Sequence, residues 1–212
     1  MREWMWIIAG PNSAGKSTFT NDLLASTSGL KKLNADERTR GLRTANPKVL
    51  LRALNLRAAR EIDAEVAASI EAGESFLVET VLSSDTYRDD VRAAKHKGFK
   101  ISLVYESLHP PELSPDRVAT RVAKGGHDAD RQTAIDRHAR SHVQLASFAA
   151  RADVPAVYDN SRNDAVPRLI AERAEDQQLR VPAAGINPGV DKALGIDRPV
   201  RMLKRPRTRD PS

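Results

Sequence analysis

Cysteine is absent from the 212 residues. That excludes disulfides and Cys-ligated metals, and it fits a reducing cytosol. No stretch approaches the roughly 20 consecutive apolar residues of a membrane-spanning helix, so no membrane is expected as a partner. The N-terminus carries Glu3 and runs straight into a glycine-rich loop, without the pattern of a signal peptide. A cytoplasmic location is therefore expected. There is no internal repeat. Most of the chain also lacks excess charge, although the total is +6. Eight Lys/Arg against three acids lie between Arg180 and Ser212, which leaves 26 against 25 in everything before them. The main body is thus nearly neutral. The basic end, "RVPAAGINPGVDKALGIDRPVRMLKRPRTRDPS", is rich in Pro and Gly and reads as a largely irregular extension. Its "RMLKRPRTR" run could meet an acidic partner, but a solvated basic end is the plainer reading, and nucleic acid is not the expected partner.

What is present begins with "IIAGPNSAGKST", Ile7 to Thr18. An apolar run of buried-strand type ends in glycine, and a helix is predicted to follow from Lys16 to about Ser26. Gly10, Pro11, Asn12, Ser13, Ala14, Gly15, Lys16 and Ser17 complete a G-x-x-x-x-G-K-[ST] pattern, with Thr18 behind it. The glycines let successive backbone N–H groups converge on one anion, and the helix adds its positive end. Lys16 supplies a full charge to the outer phosphates, and the Ser17 hydroxyl is placed for Mg²⁺. The expected ligands are therefore ATP and magnesium.

Further strands are predicted at "KKLN", "SFLVET", "FKISLVYESL" and "PAVYDN". Between them come a long helix opened by Asn46 and Pro47 and stopped at Gly73, and one capped near Ser84 and ended by Gly98. Two basic helices surround Gly125 and Gly126, and a last helix is expected at "DAVPRLIAERAEDQQ". The fold class is α/β: a P-loop kinase fold with a mostly parallel five-stranded sheet, flanking helices and a helical lid. The domain is expected to span residues 1–179, with the basic extension over 180–212. Ligands in such sheets sit at the carboxyl ends of the strands, where Asp36, Glu79 and the Gly10 loop all fall.

Phosphate loops serve several classes of protein. Neither a Walker B run of four apolar residues ending in Asp nor an N-K-x-D guanine signature is found. A small-molecule kinase is the leading reading, ahead of a P-loop ATPase or a kinase acting on a nucleotide or nucleic-acid end. A kinase needs a group to orient the acceptor hydroxyl and cations for the migrating charge. Asp36 lies just past the second strand, and Glu79, Thr80 and Ser83 close the third. Arg117 and Arg121 lie four apart on one helix, and Arg137 and Arg140 three apart on the next.

Alternative roles are simpler. Asp36 could cap a helix running into "ERTRGL". Arg117 reads best as part of a polar helix face. His127 reads as a hinge contact, and His138 with His142 as a solvated face rather than a metal pair. Trp4 and Trp6 are expected to pack the core.

The order "GPNSAGKST", "NADE", "FLVETVLSS", "ELSPDRVATRVAKGGH", "IDRHARS" resembles the zeta toxin family in its small bacterial branch, from about Trp4 to Asp176. The resemblance implies a P-loop kinase that phosphorylates a sugar nucleotide, in characterised members UDP-N-acetylglucosamine at the sugar 3′-hydroxyl. It implies that Asp36 orients that hydroxyl as base and that Lys16 holds the γ-phosphate. Ser17 and Glu79 would hold Mg²⁺, with Glu79, Thr80 and Ser83 at the acceptor and Arg121 and Arg137 as lid arginines. An antitoxin protein would be a partner. The chain departs from the family at Ser13, where Gly is usual, and at Val81, where many relatives have Thr.

Overall fold

The computed structural model describes residues 2–27, 29–123, 131–163 and 165–196, without the side chains of 120–123. In chain order the elements are β1 (Trp4–Ala9), α1 (Lys16–Ser26), β2 (Lys31–Asn34), α2 (Ala35–Ala45), α3 (Leu51–Ala72), β3 (Phe76–Thr80) and α4 (Arg88–His96). They continue with β4 (Lys100–Ser107), α5 (Leu113–Ala123), α6 (Arg131–Arg151), β5 (Val154–Asp159), β6 (Arg168–Glu172) and α7 (Pro188–Leu194). The sheet has the order β2-β3-β1-β4-β5-β6. All pairings are parallel except β5 with β6. Parallel strands need both faces covered, and their near-continuous apolar composition meets that need. Met5, Ile7, Phe76, Val78, Ile101 and Leu103 enter one core cluster with Ile62, Val66, Val91, Leu145 and Phe148 of the helices. Ile8, Leu77 and Val104 face the other way, where Phe19 and Leu23 of α1 cover them. Trp6 packs against this second cluster, and its ring lies 5.7 Å from that of Trp4.

The sheet is six-stranded rather than five-stranded, because the segment expected as a last helix forms β6. Leu169, Ile170, Ala171 and Glu172 suit a helix locally, but the open edge of β5 offers backbone partners. Ile170 and Ala171 are buried there, so tertiary context overrides propensity. Asn46 does not open the long helix. Its backbone N–H and side-chain amide both bond Leu42 O and close α2, and α3 begins only at Leu51. α4 begins after Tyr87 rather than near Ser84, whose hydroxyl instead meets that of Thr86 at 2.8 Å.

Of the C-terminal extension, residues 180–196 lie within the described part. They are not all irregular: Asn187 caps α7 by accepting from Gly189 and Val190 N–H. Val190 is fully buried in the main core. Asn187 also donates to Ser107 Oγ at 3.1 Å, which ties this segment to the end of β4. The "RMLKRPRTR" run lies outside the described residues.

Candidate phosphate-loop site

The loop after β1 turns on Gly10 (φ 139°), Ser13 (φ 59°) and Gly15 (φ 112°). A Cβ at Gly10 would stand 2.0 Å from the Glu106 carbonyl oxygen. One at Gly15 would stand 2.3 Å from Glu106 Oε2 and 2.4 Å from Asn160 Nδ2. Only glycine fits either place. α1 starts as Thr18 and Phe19 N–H bond Gly15 O, and the positive N-terminal end of that helix favours an anion at the loop. Lys16 is buried, and its Nζ donates to Gly10 O at 2.9 Å and Pro11 O at 2.8 Å. Ser13 Oγ is buried without a hydrogen-bond partner. Ser13 adopts the left-handed backbone for which glycine is usual, a strain of about 1–2 kcal/mol for a residue with a Cβ.

The register Asn34↔Glu79↔Ile8 sets the second part of the site beside the loop. At about 4.8 Å per strand step, the ends of β2, β3 and β1 span about 10 Å. Ser17 Oγ donates to Glu79 Oε1 at 2.8 Å. Glu79 Oε2 is buried without a hydrogen-bond partner, and Lys32 Nζ stands 3.8 Å from it. This hydroxyl and carboxylate fit a hard divalent cation such as Mg²⁺, which takes oxygen ligands and would occupy the orphaned Oε2.

Asp36 is exposed in the first turn of α2. It does not cap that helix. Asn34 does, its side chain accepting from Asp36 N–H at 2.8 Å and Glu37 N–H at 3.1 Å. The Asp36 carboxylate therefore has no part in the cap and is exposed. Thr80 Oγ1 accepts from Leu82 N–H at 3.1 Å and supports the turn in which Leu82 takes φ 57°. Ser83 follows that turn, partly exposed. A cleft of about 290 Å³ opens on the α2 side, lined by Lys32, Asn34, Glu37, Arg38, Leu42 and Ile62. Lys32 pairs with Glu37 at 2.5 Å, and Arg38 with Glu61 and Glu65 at 2.9 and 2.6 Å, so both cations in the cleft are partnered.

The lid arginines divide. Arg117 is not a solvated face. Its guanidinium donates to Asn160 O at 2.8 Å, Asn163 Oδ1 at 2.9 Å, Ser161 O at 3.3 Å and Ser13 O at 3.5 Å. It binds α5 to the loop after β5 and to the phosphate loop. Ser114 Oγ adds a bond to Asn12 O at 2.9 Å. Arg131 pairs with Asp116 across α5 and α6 at 2.5 Å. Arg137 and Arg140 are exposed on α6. The side chain of Arg121, the Gly125–Gly126 hinge and His127 lie outside the described residues.

His138 and His142 are not a solvated face either. His138 is 4% exposed and bonds Leu108 O at 2.8 Å, and its ring lies 4.5 Å from that of His142. Burial first, then His138 and His109, push His142 down to about 4. Among the described residues no group of three or more His, Asp or Glu could hold a metal.

Two residues of the site escaped the sequence reading. Glu106 near the end of β4 is 2% exposed, and Asn160 Nδ2 lies 3.3 Å from its Oε2 and 2.7 Å from Ala14 O. The available signal was a lone carboxylate in the apolar run "ISLVYES".

Comparison with known proteins bears on the fold and the family. The crystal structure of AvrRxo1-ORF1:-ORF2 with ATP superposes with a TM-score of 0.69 at 15% identity, over 85% of this chain and 61% of that one. This chain thus spans about three fifths of that protein's length. A putative kinase from Chloroflexus aurantiacus gives 0.53 at 19% identity, over 66% and 80%. A structure from the PezAT chromosomal toxin–antitoxin system of Streptococcus pneumoniae gives 0.55 at 16% identity, over 78% and 70%. At such identities these likenesses concern the fold. No curated protein matches. No helix among the described residues is long and apolar enough to cross a membrane. Residues 2–166 match the Zeta toxin family, and since that is most of the chain and includes the phosphate loop, Glu79 and the arginine-bearing helices, the chain belongs to that family.

Proposed function

We propose that the chain is an ATP-dependent kinase that transfers the γ-phosphate to a hydroxyl of a sugar nucleotide such as UDP-N-acetylglucosamine. The observation that carries the reading is the Ser17–Glu79 hydrogen bond at the start of α1, with the exposed Asp36 two residues beyond the strand end paired with Glu79. A nucleotide, a cation and an acceptor can then meet along one sheet edge.

In this reading Lys16 turns from the Gly10 and Pro11 carbonyls onto the outer phosphates. Ser17 and Glu79 hold Mg²⁺, which when bound supplies positive charge to the phosphate oxygens. Asp36 accepts the proton of the acceptor hydroxyl and fixes its direction. Glu79, Thr80 and Ser83 border the acceptor, whose sugar nucleotide would enter from the α2 cleft. Arg121 and Arg137 meet the charge that spreads over the transferring group. The reading also includes a cytoplasmic location and an antitoxin as partner, the latter in line with the toxin–antitoxin system to which the PezAT structure belongs.

The test is to incubate the protein with Mg-ATP and single sugar nucleotides, then with a whole metabolite extract, and to identify the phosphorylated product by mass. ATP use should depend on the added acceptor. Acceptor-independent hydrolysis would make the chain an ATPase, and transfer to nucleic-acid ends would replace the sugar nucleotide.

A further inference from the structure

Glu106 has no part in the reaction as described, yet the phosphate loop rests on it. Its carbonyl oxygen leaves no room for a side chain at Gly10, and its carboxyl leaves none at Gly15. Asn160 Nδ2 lies between the carboxyl and Ala14 O, so one amide joins Glu106 to the loop backbone. Among the described residues three charged groups bear on this junction. Lys16 acts on the carboxyl from the loop side. Arg117 of α5 holds the Asn160 carbonyl, and Asp159 of β5 is turned onto Ser161. No full cation is hydrogen-bonded to Glu106 among the described residues.

A carboxylate in this position opposes the loop's own purpose. The loop gathers N–H groups and the end of α1 around an anion, and a fixed negative charge directly beneath weakens that field. A neutral carboxyl does not. The nucleotide-free state is balanced between the two: burial, partly offset by Asn160 and then by Lys16, pushes Glu106 up to about 7. A bound triphosphate shifts the balance in one direction. It adds negative charge nearby and draws Lys16 away to the phosphates, and both effects favour the protonated acid.

We propose that Glu106 is a positioning residue that takes up a proton when the loop binds a triphosphate near neutral pH, so that nucleotide binding is coupled to proton uptake beneath the loop. This rests on the reading of the loop as a nucleotide site. The sign follows from linkage. Affinity is highest in acid, where the free protein already holds the proton. It declines as pH rises through about 7, the value of the free state, and levels off above the higher value of the complex.

The test is calorimetric titration of the full chain with Mg²⁺ and a non-hydrolysable ATP analogue, in two buffers of different ionisation enthalpy. At pH 7 the wild type should take up about half a proton per site more than Glu106→Gln, because a group titrating near 7 is half protonated when free. From pH 6.5 to 8.5 wild-type affinity should fall about sixfold relative to Glu106→Gln, for a rise of about one pH unit in the complex. Glu106→Leu, which cannot bond Asn160, should show the same flat profile with a lower melting temperature, and the wild-type excess should vanish at pH 5.5. Equal proton uptake and parallel profiles in wild type and folded Glu106→Gln would overturn the proposal while leaving the nucleotide site intact. So would loss of binding in folded Glu106→Gln, the neutral state proposed to bind. No binding in wild type at any pH would overturn the nucleotide reading itself.

Discussion

Replacing Arg117 with alanine tests whether the α5 arginine is structural or merely a solvated charge. The guanidinium spans four acceptors on two segments: Ser13 O in the phosphate loop, and Asn160 O, Ser161 O and Asn163 Oδ1 in the loop after β5. The 3.5 Å contact to Ser13 O is at the limit of a hydrogen bond and contributes little. The other three have a charged donor, for which about 1.5–3 kcal/mol each is usual. Arg117 is only half-buried, so water can replace part of what is lost, and the summed value must be cut severalfold. A net cost of about 2 kcal/mol remains. For a chain of this size that lowers the melting temperature by about 4–8 °C. Arg117→Lys should recover less than half, since one ammonium cannot reproduce the planar fork. Thermal melts followed by circular dichroism read the stability. Titration with an ATP analogue should show weaker binding, because the loop loses its tie to α5. A melting temperature within 1 °C of wild type would refute the reasoning and restore Arg117 to the polar face that its helical spacing suggests.

Lys16→Ala should abolish ATP-dependent phosphorylation while the far-ultraviolet spectrum stays unchanged, and turnover at the wild-type rate would remove the kinase reading. Asp36→Asn should lower kcat by about 10²–10⁴-fold with little change in ATP affinity or melting temperature. Asn34→Ala, which removes the actual cap of α2, should instead cost about 1 kcal/mol of stability, read by urea denaturation. His142 is held neutral in the fold at about 4, below its unfolded value of about 6.5, so the unfolded chain binds the extra proton between the two. Stability should therefore fall as pH drops from about 6.5 to 4, by up to about 3 kcal/mol, and His142→Phe should flatten that slope in melts across the range.

Legibility in the sequence follows the range of the forces involved. β1, the phosphate loop and α1 are local: an apolar run, glycines at positions needing positive φ, and a helix start can all be read within fifteen residues. β6 is not local. Its residues would serve a helix, and the deciding factor is the unpaired edge of β5, which no window of sequence contains. Arg117 fails for the same reason, because its acceptors lie 43 to 46 residues away around Asn160 and 104 away at Ser13. His138 and His142 were misjudged by a related route. A polar residue every fourth position suggests an outer face, but Ala134, His138, Ser141 and Leu145 share the buried side of α6. Asn34 and Asp36 show the limit of a motif. Both side-chain types can cap, and only the backbone geometry assigns the cap to Asn34 and leaves Asp36 exposed.

The phosphate loop itself is a junction of three strands, and this changes what its glycines mean. Gly10 and Gly15 are usually explained by the need to bring backbone close to phosphate. Here each is also required on the opposite side, where β4 and the end of β5 press against the loop through Glu106 and Asn160. Ser13 keeps the positive φ and yet carries a side chain, whose Oγ is buried. The packing from below thus adds to the demand of the turn, most firmly at Gly10, where the neighbour is the Glu106 backbone. It follows that the nucleotide site extends to residues that need never touch a nucleotide. Glu106 and Asn160 reach the loop through contacts of 2.7 to 3.3 Å, so a change at either acts on the loop backbone without touching a nucleotide.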